Sequence, residues 1–292
     1  MSIYIGLGGW GDHDSLYSKG VRSTDKLSAY AKHFEIVEID STFYAIQSPE
    51  RIRQWIAQTP PHFKFIVKAY QGMTGHQRGS TGIASKKEEM FAAFLTMIQP
   101  LIELDRLLCV LFQYPPWFDC MTKHVMVLRS TKKLMGDIPC SLEFRHQSWF
   151  KSEMRAKTIQ FMKDEQWIHS VCDEPQAGDG SIPMIIESTD KILTMVRLHG
   201  RNESGWNDTG DDKWREVRYL YDYSEQQLAE WLPRLEQLSQ GSQDVFVIFN
   251  NNSGGHAARN AKMLMMLLGQ KRPDGKQPMD ALPQSVEQLE LF

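Results

Sequence analysis

The sequence predicts a (β/α)8 barrel, or TIM barrel, built as a single domain with a flexible C-terminal tail. Eight short β-rich runs recur along the chain, most of them are apolar runs ending in polar residues, and helical patterns separate them. Eight strands alternating with helices over about 250 residues is the pattern of this barrel. We assign residues 1–269 to the barrel domain and residues 270–292 to the tail.

Continuous apolar runs are typical of parallel strands that are covered on both faces. The predicted strands are, in chain order, 3–9, 34–44, 63–70, 107–115, 140–146, 168–174, 193–200 and 245–252. A doubly wound open sheet is the competing fold, and it predicts a GxGxxG fingerprint after an early strand. The stretch "GLGGWGDHD" after the first run lacks that spacing, so the barrel is favoured.

Helix-start signals occupy the intervals between the strands. A serine suited to capping a helix precedes or opens several helical patterns, at Ser48, Ser85, Ser224 and Ser253. Pro49 supports the first of these helices, and the last ends at Gly269. Residues 175–191 show no helical pattern, and we interpret them as a segment that can contain a hairpin.

Composition excludes several functional classes. The 292 residues carry a formal charge of −3, which gives no general attraction to nucleic acid or to an anionic membrane. The chain has no stretch of about 18 consecutive apolar residues, which a membrane span would need. The N-terminus also lacks a basic region and a long apolar run, so no signal peptide is expected. The cytoplasm is therefore the expected compartment.

Polar residues follow the apolar part of each predicted strand. Residues two apart point to the same side of a strand, so three same-side pairs are expected: Glu38 with Asp40, Glu143 with Arg145, and Arg197 with His199. Barrel enzymes place their chemistry at these C-terminal strand ends. Alternatively, Glu143 with Arg197, or Glu38 with Arg145, are buried ion pairs that stabilise the barrel.

The favoured function is an enzyme, a hydrolase or lyase, acting on an anionic and phosphate-bearing substrate. Glu38, Glu143 and His199 are the predicted catalytic residues, because carboxyl and imidazole groups perform acid–base chemistry. The predicted substrate-binding residues are Lys68, Gln113, Arg145, Arg197, Asn250, Ser253, Gly254 and Gly255. The last three stand in "FNNNSGGHAARNA", where free N–H groups at a helix start suit an anion.

A divalent metal is the open alternative among cofactors. Its candidate ligands are Glu38, Glu143, His146, Asp173 and His199, although no recognised ligand-spacing motif supports them. Aromatic residues also follow strand ends and are candidates to wall a pocket or to close the barrel top: Trp10, Phe43, Tyr44, Trp117, Trp149 and Trp206. His76 is interpreted as an ordinary loop histidine.

Several motifs in fixed order resemble a known family. They are "GGW", "EIDSTFY", "SPERIRQW", "TPPHFKFIVKAY", "TGH", "FQYPPWF", "LEFRHQSWF", "VRLHGR" and "FNNNSGGHAARNA", spanning about residues 3–268. The chain is similar to the domain-of-unknown-function 72 family, the YecE/YunF-like proteins. This resemblance implies a TIM barrel and no particular reaction. The family's motif residues correspond to Glu38, Lys68, Gln113, Glu143, Arg145, Arg197, His199 and Asn250, and Asp40 stands where the family often has Asn.

The tail ends in apolar residues after a polar segment. "QLELF", with Gln288, Leu289, Leu291 and Phe292, resembles the peptide that binds the bacterial DNA sliding clamp. This resemblance implies a clamp partner and, as an alternative function, a role in DNA processing or repair. Docking of the tail on its own barrel is the competing interpretation. A third alternative is a non-catalytic barrel that binds or senses a small anion.

Overall fold

A computed structural model of the chain describes residues 2–77, 84–206 and 217–280, and only the backbone of residues 84–86. Eight parallel strands close into a barrel whose strand order follows the chain. β1 (Ser2–Gly8) pairs with β2 (Ile36–Ile39) on one side and with β8 (Asp244–Phe249) on the other. The TIM-barrel prediction is confirmed, because in an open sheet β1 and β8 would not pair with each other.

Each predicted run overlaps one strand of the barrel. The five strands between β2 and β8 are β3 (Lys64–Lys68), β4 (Leu107–Gln113), β5 (Cys140–Glu143), β6 (Trp167–Asp173) and β7 (Leu193–Leu198). Their interior residues are buried, as the apolar runs predicted, because helices cover the outside and side chains fill the inside.

The described helices lie between the strands. They are α1 (Lys26–Tyr30), α2 (Ser41–Tyr44), α3 (Pro49–Ala57), α4 (Ala84–Glu103), α5 (Thr122–Met135), α6 (Ser152–Asp164), α7 (Glu225–Ala229), α8 (Trp231–Gly241) and α9 (His256–Leu267). Two predicted caps are confirmed. Ser48 Oγ accepts from Arg51 N at 3.3 Å, and Ser224 forms a reciprocal capping box with Gln227.

Three local predictions were wrong. α4 begins at Ala84, so Ser85 lies inside its first turn and not ahead of it. Gly255 occupies the N-cap of α9 with a φ of 73°, and Ser253 makes no side-chain capping bond to that helix. Residues 175–191 contain no helix, as predicted, but they also contain no strand, so the hairpin that this segment could hold is absent.

The barrel interior has an apolar lower part and a polar upper part. Period-two alternation places residues of one strand alternately inside and outside. Along the inside, an apolar residue is followed two positions later by a polar one in Ile36 and Glu38, Ile66 and Lys68, Leu111 and Gln113, Met195 and Arg197, and Ile248 and Asn250. The intervening residues, such as Val37, Val67 and Val196, pack outward in the main core.

The chain after α9 returns to the barrel. Gln270 Nε2 donates to the Ile3 carbonyl at 2.7 Å, and Pro278 and Met279 line a small cavity against α9. The proposed clamp-binding residues, Gln288 to Phe292, lie outside the described residues. Within the described part of the chain, no helix is long and apolar enough to cross a membrane.

Candidate functional site

Arg197 lies at the centre of the polar layer and is fully buried. Its Nε and Nη2 donate to the two carboxylate oxygens of Glu38 at 2.9 and 2.6 Å. Its Nη1 donates to Glu143 Oε2 at 2.7 Å. This arrangement uses the planar fork of the guanidinium group. The Glu143–Arg197 ion pair is therefore present as predicted, whereas Glu38 pairs with Arg197 and not with Arg145.

Arg145 is a second buried guanidinium group in the same layer. Its Nε donates to Glu143 Oε1 at 2.7 Å, and its Nη1 donates to Glu174 Oε2 at 2.9 Å. Burial alone would raise the pKa of Glu143, but Arg145 and Arg197 together hold that pKa well below its usual range. Glu143 is thus an ionised carboxylate shared by two arginines.

Glu174 is the carboxylate that sequence reasoning missed at the end of β6. It shares the inner side of this strand with Ser170 and Cys172, and it also accepts a hydrogen bond from Ile182 N at 2.7 Å. Asp173, which we predicted there, points outward and accepts from Arg201 Nε at 2.8 Å. The period-two rule could have found Glu174, had Ser170 been used to set the inward side.

His199 lies within this network and is fully buried. Its Nε2 is 3.0 Å from Arg145 Nη2 and 3.5 Å from Arg197 Nη1, which are both obligatory donors. Nε2 therefore accepts from these groups, and Nδ1 lies 3.1 Å from the side-chain amide nitrogen of Asn250. Burial first and then Arg145 lower the pKa of His199 well below its usual value, so the ring is neutral.

Glu38, Asp40 and Lys68 form a linked acid–base group. Burial and the neighbouring Asp40 raise the pKa of Glu38 to about 7 despite the charge of Arg197, and a side-chain hydrogen bond joins the two carboxyl groups. Lys68 Nζ lies 3.2 Å from Asp40 Oδ1 and holds the pKa of Asp40 below its usual range against the effect of burial. One proton can therefore be shared between Glu38 and Asp40.

A cavity of about 710 Å³ lies above this layer at the C-terminal mouth of the barrel. Three cationic side chains and two carboxylates line it together with aromatic residues. Its lining residues are Asp12, Asp40, Phe43, Tyr44, Lys68, His76, Gln113, Pro116, Trp117, Arg145, Gly180, Trp206, Arg218, Tyr219, Asn250 and Asn252. A concave, partly aromatic site with a few charged groups is the usual form of a small-molecule site.

The structure brings the family's motif residues together but divides them into two levels. Lys68, Gln113, Arg145 and Asn250 line the cavity. The predicted catalytic residues Glu38, Glu143 and His199, together with Arg197, are fully buried and do not line it. They lie beneath the floor, so any direct contact with a ligand falls to residues such as Asp40 and Lys68.

The walls of the cavity come largely from loops. Of the predicted aromatic residues, Phe43, Tyr44, Trp117 and Trp206 line the cavity, whereas Trp10 packs on Trp55 and Trp149 is buried in the core. Sequence reasoning missed further lining residues, which are Asp12, His76, Arg218 and Tyr219. No periodic pattern marks these loop positions, and only their polar or aromatic character could have indicated them.

The "SGG" segment does not line the mouth cavity. Ser253 and Gly254 are absent from its lining, and Gly255 lines the separate small cavity against α9. Asn250 and Asn252 are the residues of this loop that reach the mouth, and Asn252 Nδ2 donates to the Gly8 carbonyl at 3.0 Å. The anion site predicted at Ser253, Gly254 and Gly255 is therefore not part of this cavity.

The predicted metal ligands do not fit a divalent ion. Glu143, Cys172 and His199 have ligand atoms within 4.8 Å of one another, but the Arg145 and Arg197 guanidinium groups already contact Glu143 and His199. A divalent cation there would meet two permanent positive charges. Asp173 is paired with Arg201 outside the barrel interior, and His146 Nδ1 bonds Ser148 Oγ at 2.7 Å.

Family membership follows from the whole chain. The family described as "Protein of unknown function DUF72" matches residues 4–284. The chain belongs to the DUF72 family. YunF of Bacillus subtilis strain 168, a UPF0759 protein, is 55% identical over 267 residues, covering 91% of this chain and 94% of YunF. YecE of Escherichia coli K12 is 24% identical over 248 residues, or 78% of this chain and 82% of YecE.

Solved DUF72 structures have the same fold. The crystal structure of a DUF72 protein from Enterococcus faecalis V583 matches with a TM-score of 0.86 and 36% identity, covering 92% of this chain and 96% of that one. A DUF72 protein from Thermotoga maritima MSB8 matches with a TM-score of 0.78 and 29% identity, covering 92% and 100% of the two chains. These matches confirm the barrel and the resemblance inferred from the motifs.

We predict that Glu143→Gln destabilises the DUF72 barrel strongly. The substitution leaves Arg145 and Arg197 without the carboxylate that they share in a fully buried layer. Removing one partner of such a buried network costs about 3–5 kcal/mol. Urea-induced unfolding followed by tryptophan fluorescence measures the loss in the free energy of unfolding.

Glu187→Gln is the matched control for this substitution. Glu187 pairs with Arg155 at 3.1 Å on the surface, where both side chains are more than a third exposed. Loss of an exposed pair should cost less than about 1 kcal/mol. Equal effects of the two substitutions would contradict a dominant structural role for Glu143.

We predict a pH dependence of stability that originates at Glu38. Its pKa rises from 4.5 to about 7 on folding, so the folded state binds more protons between these values. This stabilising contribution is present below the ordinary pKa and is lost as the pH rises through about 7. Relative to Glu38→Gln, the free energy of unfolding of the wild-type protein should fall by on the order of 2 kcal/mol between roughly pH 5 and 8.

The measurement is the free energy of unfolding at a series of pH values. The shared titration of Glu174, whose pKa burial also raises to about 7, cancels in this difference. Glu187→Gln, at an exposed ion pair, is the control for replacing a glutamate with glutamine. A Glu38→Gln curve that is also parallel to the wild type would show that Glu38 does not titrate in this range.

Proposed function

We propose that this DUF72 protein is an enzyme, a hydrolase or lyase, that acts on an anionic, phosphate-bearing substrate at the mouth of the barrel. One observation carries the proposal. Lys68, Arg145 and Arg218 line a single cavity of about 710 Å³ whose floor also presents Asp40. Several cations beside one acid–base group in a concave site form a typical arrangement for binding and transforming an anion.

The charge balance of the floor favours an anionic ligand. Burial disfavours the charged form of Lys68, but Asp40 and Glu38 outweigh it and raise the pKa of Lys68, so this side chain is cationic. Burial also raises the pKa of Glu38 and Glu174 to about 7, so these groups are partly protonated near neutral pH. An anion bound above them would raise both pKa values further, and binding should be accompanied by proton uptake.

The Glu38–Asp40 pair supports general acid–base chemistry. Asp40 lines the cavity and contacts Glu38, which is completely buried beneath it. Asp40 can accept a proton from a water molecule or from the substrate, and Glu38 can hold the transferred proton. Lys68 would fix the substrate's negative charge next to Asp40, while Arg197 holds Glu38 in position through its bidentate contact.

The aromatic walls support a substrate with an organic body rather than a bare phosphate ion. Lys68 Nζ lies 5.3 Å from the centre of the Phe43 ring. The guanidinium carbons of Arg145 and Arg218 lie 5.2 and 4.3 Å from the centre of the Trp206 ring. Tyr44 and Trp117, which line the same cavity, are exposed and present flat aromatic surface beside the cationic groups. A sugar or base bearing a phosphate matches that combination.

We predict that phosphorylated metabolites bind and that Lys68→Met weakens their binding by about tenfold or more, since one charge-assisted contact is lost. Isothermal titration with sugar phosphates and nucleoside monophosphates, each beside its dephosphorylated counterpart, measures this effect. Titrations in buffers of different ionisation enthalpy report the accompanying proton uptake. Lys157→Met, on the exposed face of α6, is the matched control and should bind as the wild type does.

Asp40→Asn separates binding from catalysis. It should retain ligand binding and lower turnover by about a hundredfold or more, the usual contribution of a general acid or base. Unchanged turnover would contradict the relay through Asp40. Binding by the wild type without any turnover of the bound metabolites would favour the alternative, a protein that binds or senses a small anion.

We also propose a partner for the C-terminal tail, on the evidence of its sequence alone. "QLELF" resembles the sliding-clamp peptide, and it lies beyond residue 280, where the described part of the chain ends. A labelled peptide of residues 277–292 should bind a bacterial sliding clamp with a Kd of about 10⁻⁶ M, as measured by fluorescence polarisation. A peptide with Leu291→Ala and Phe292→Ala should not bind. Equal signals from both peptides would remove the basis for the DNA-processing alternative.

A further inference from the structure

His76 lies on the wall of the mouth cavity, in the loop that follows β3. The reaction proposed above does not use this side chain. Backbone hydrogen bonds fix the loop, because His76 N donates to the Gln71 carbonyl at 3.1 Å and Gln71 N donates to the Phe43 carbonyl at 2.9 Å. The imidazole group is therefore attached to a defined part of the cavity wall.

The ring of His76 is oriented through its Nδ1 atom. Thr74 Oγ1 lies 2.8 Å from Nδ1 and donates to the Gln71 carbonyl at 3.3 Å. The ring also makes edge contacts with Phe43 and Trp117, with centroid distances of 5.0 and 6.0 Å. The side chain is partly exposed, and Nε2 has no hydrogen-bond partner within the described ranges. Nε2 is therefore the ring nitrogen that is available to a ligand.

Two cations of the proposed anion site act on His76. Lys68 Nζ lies 5.3 Å from the centre of the Phe43 ring, which itself contacts His76, and Arg145 lines the same cavity. Burial first, then Lys68 and then Arg145 lower the pKa of His76 to about 4, so the ring is neutral in the free protein at neutral pH. The other ionisable groups of the cavity lining do not shift this pKa: Asp12, Asp40, Tyr44, Arg218 and Tyr219.

An anion bound at these cations would reverse the electrostatic balance at His76. Its negative charge would offset the charges of Lys68 and Arg145, which oppose protonation of the ring. The Thr74 hydroxyl can accept a hydrogen bond from Nδ1 before and after protonation, so Nε2 is the atom that gains the proton. The ligand would thus charge the histidine that contacts it.

His76 and Asp40 occupy different places in the cavity. Asp40 lies at the floor, with Lys68 Nζ 3.2 Å from its Oδ1, whereas His76 belongs to the wall formed by the loop after β3. Glu38 is completely buried and reaches a ligand only through Asp40. A substrate that spans the cavity can therefore lose a proton at the floor and gain one at the wall.

We propose that His76 is a second catalytic residue of the mouth, which takes up a proton when the anion binds and donates it to the departing group. This inference rests on the function proposed above. Asp40 accepts a proton from water or from the substrate, and the bond to the leaving oxygen breaks with its electron pair on that oxygen. The Nε2 proton of His76 then passes to the same oxygen.

The two reaction types differ only in the bond that forms. In a hydrolysis the water oxygen takes the place of the leaving oxygen. In a lyase reaction a carbon–carbon double bond replaces the carbon–hydrogen and carbon–oxygen bonds that break. In both, His76 ends neutral and Asp40 ends protonated, and proton exchange with solvent restores them.

Phenyl phosphate is the probe for this protonation, because it joins an aromatic body to a phosphate group. Full-length protein with ¹⁵N-labelled histidine is titrated over roughly pH 5–8, and His76→Gln assigns the ring signals. In the free protein the ring should stay neutral over this range, since its pKa is about 4. With phenyl phosphate bound, it should titrate at least about one pH unit higher. Phenol lacks the charge and should have no effect.

His62 is the matched control histidine. It is exposed and lines a separate cavity at the opposite end of the barrel, so its signal should not respond to phenyl phosphate. His76→Gln should keep phenyl phosphate binding, measured by calorimetry, and should lower turnover of the metabolites that the wild type transforms by about a hundredfold or more. His62→Gln should match the wild type in both measurements.

The outcomes separate this role from the function on which it rests. Failure of phenyl phosphate to bind, or binding that survives Lys68→Met, would contradict the anion site and the proposed function with it. Binding that depends on Lys68 but leaves the His76 signal unchanged would overturn the role of His76 alone. Undiminished turnover in His76→Gln would do the same, and wild-type binding without any turnover would remove the catalytic role whatever the His76 signal shows.

Discussion

The pairing of two buried arginines with buried carboxylates is the constraint on which the candidate site depends. Arg145 and Arg197 keep their charge at any physiological pH, so the barrel interior can hold them only beside well-placed carboxyl groups, of which Glu143 is held in its ionised form. Glu143 pairs with both arginines. Glu174 is the second carboxyl partner of Arg145, and Glu38 is the second carboxyl partner of Arg197. These residues come from different strands or strand ends, so a change in strand register would leave a charge without its partner.

This network also decides which residues remain for chemistry. Because Glu38, Glu143 and His199 are turned toward the arginines, Asp40 and Lys68 form the acid–base pair at the floor of the cavity.

The backbone of β1 also shapes the floor of the cavity. A Cβ atom at Gly8 would lie 2.6 Å from Asn250 Oδ1 and 3.1 Å from Asp40 Oδ2, so a side chain there would displace both groups. Glycine at this strand end keeps the floor intact.

The sequence was sufficient for what depends on local periodicity. Apolar runs located all eight strands, and the period of two correctly placed Glu38, Arg145, Arg197 and His199 on the inner side of the barrel. The sequence could not predict which charged residues pair, because Arg197 and Glu38 are 159 residues apart and meet only when the barrel closes. The choice between Asp173 and Glu174 required the strand's inward register. Predicting that Arg218 and Tyr219 line the cavity would have required the path of their loop, and the loop has no periodic pattern.

The protein accommodates its buried cations in two ways, and the residue types explain the difference. An arginine cannot lose its proton under any relevant condition, so each guanidinium group of the barrel interior is paired within the chain. A lysine can lose its proton, and the pKa of Lys262 is already lowered to about 8. The fold can therefore tolerate Lys262 without a hydrogen-bond partner among the described residues at a modest cost in stability.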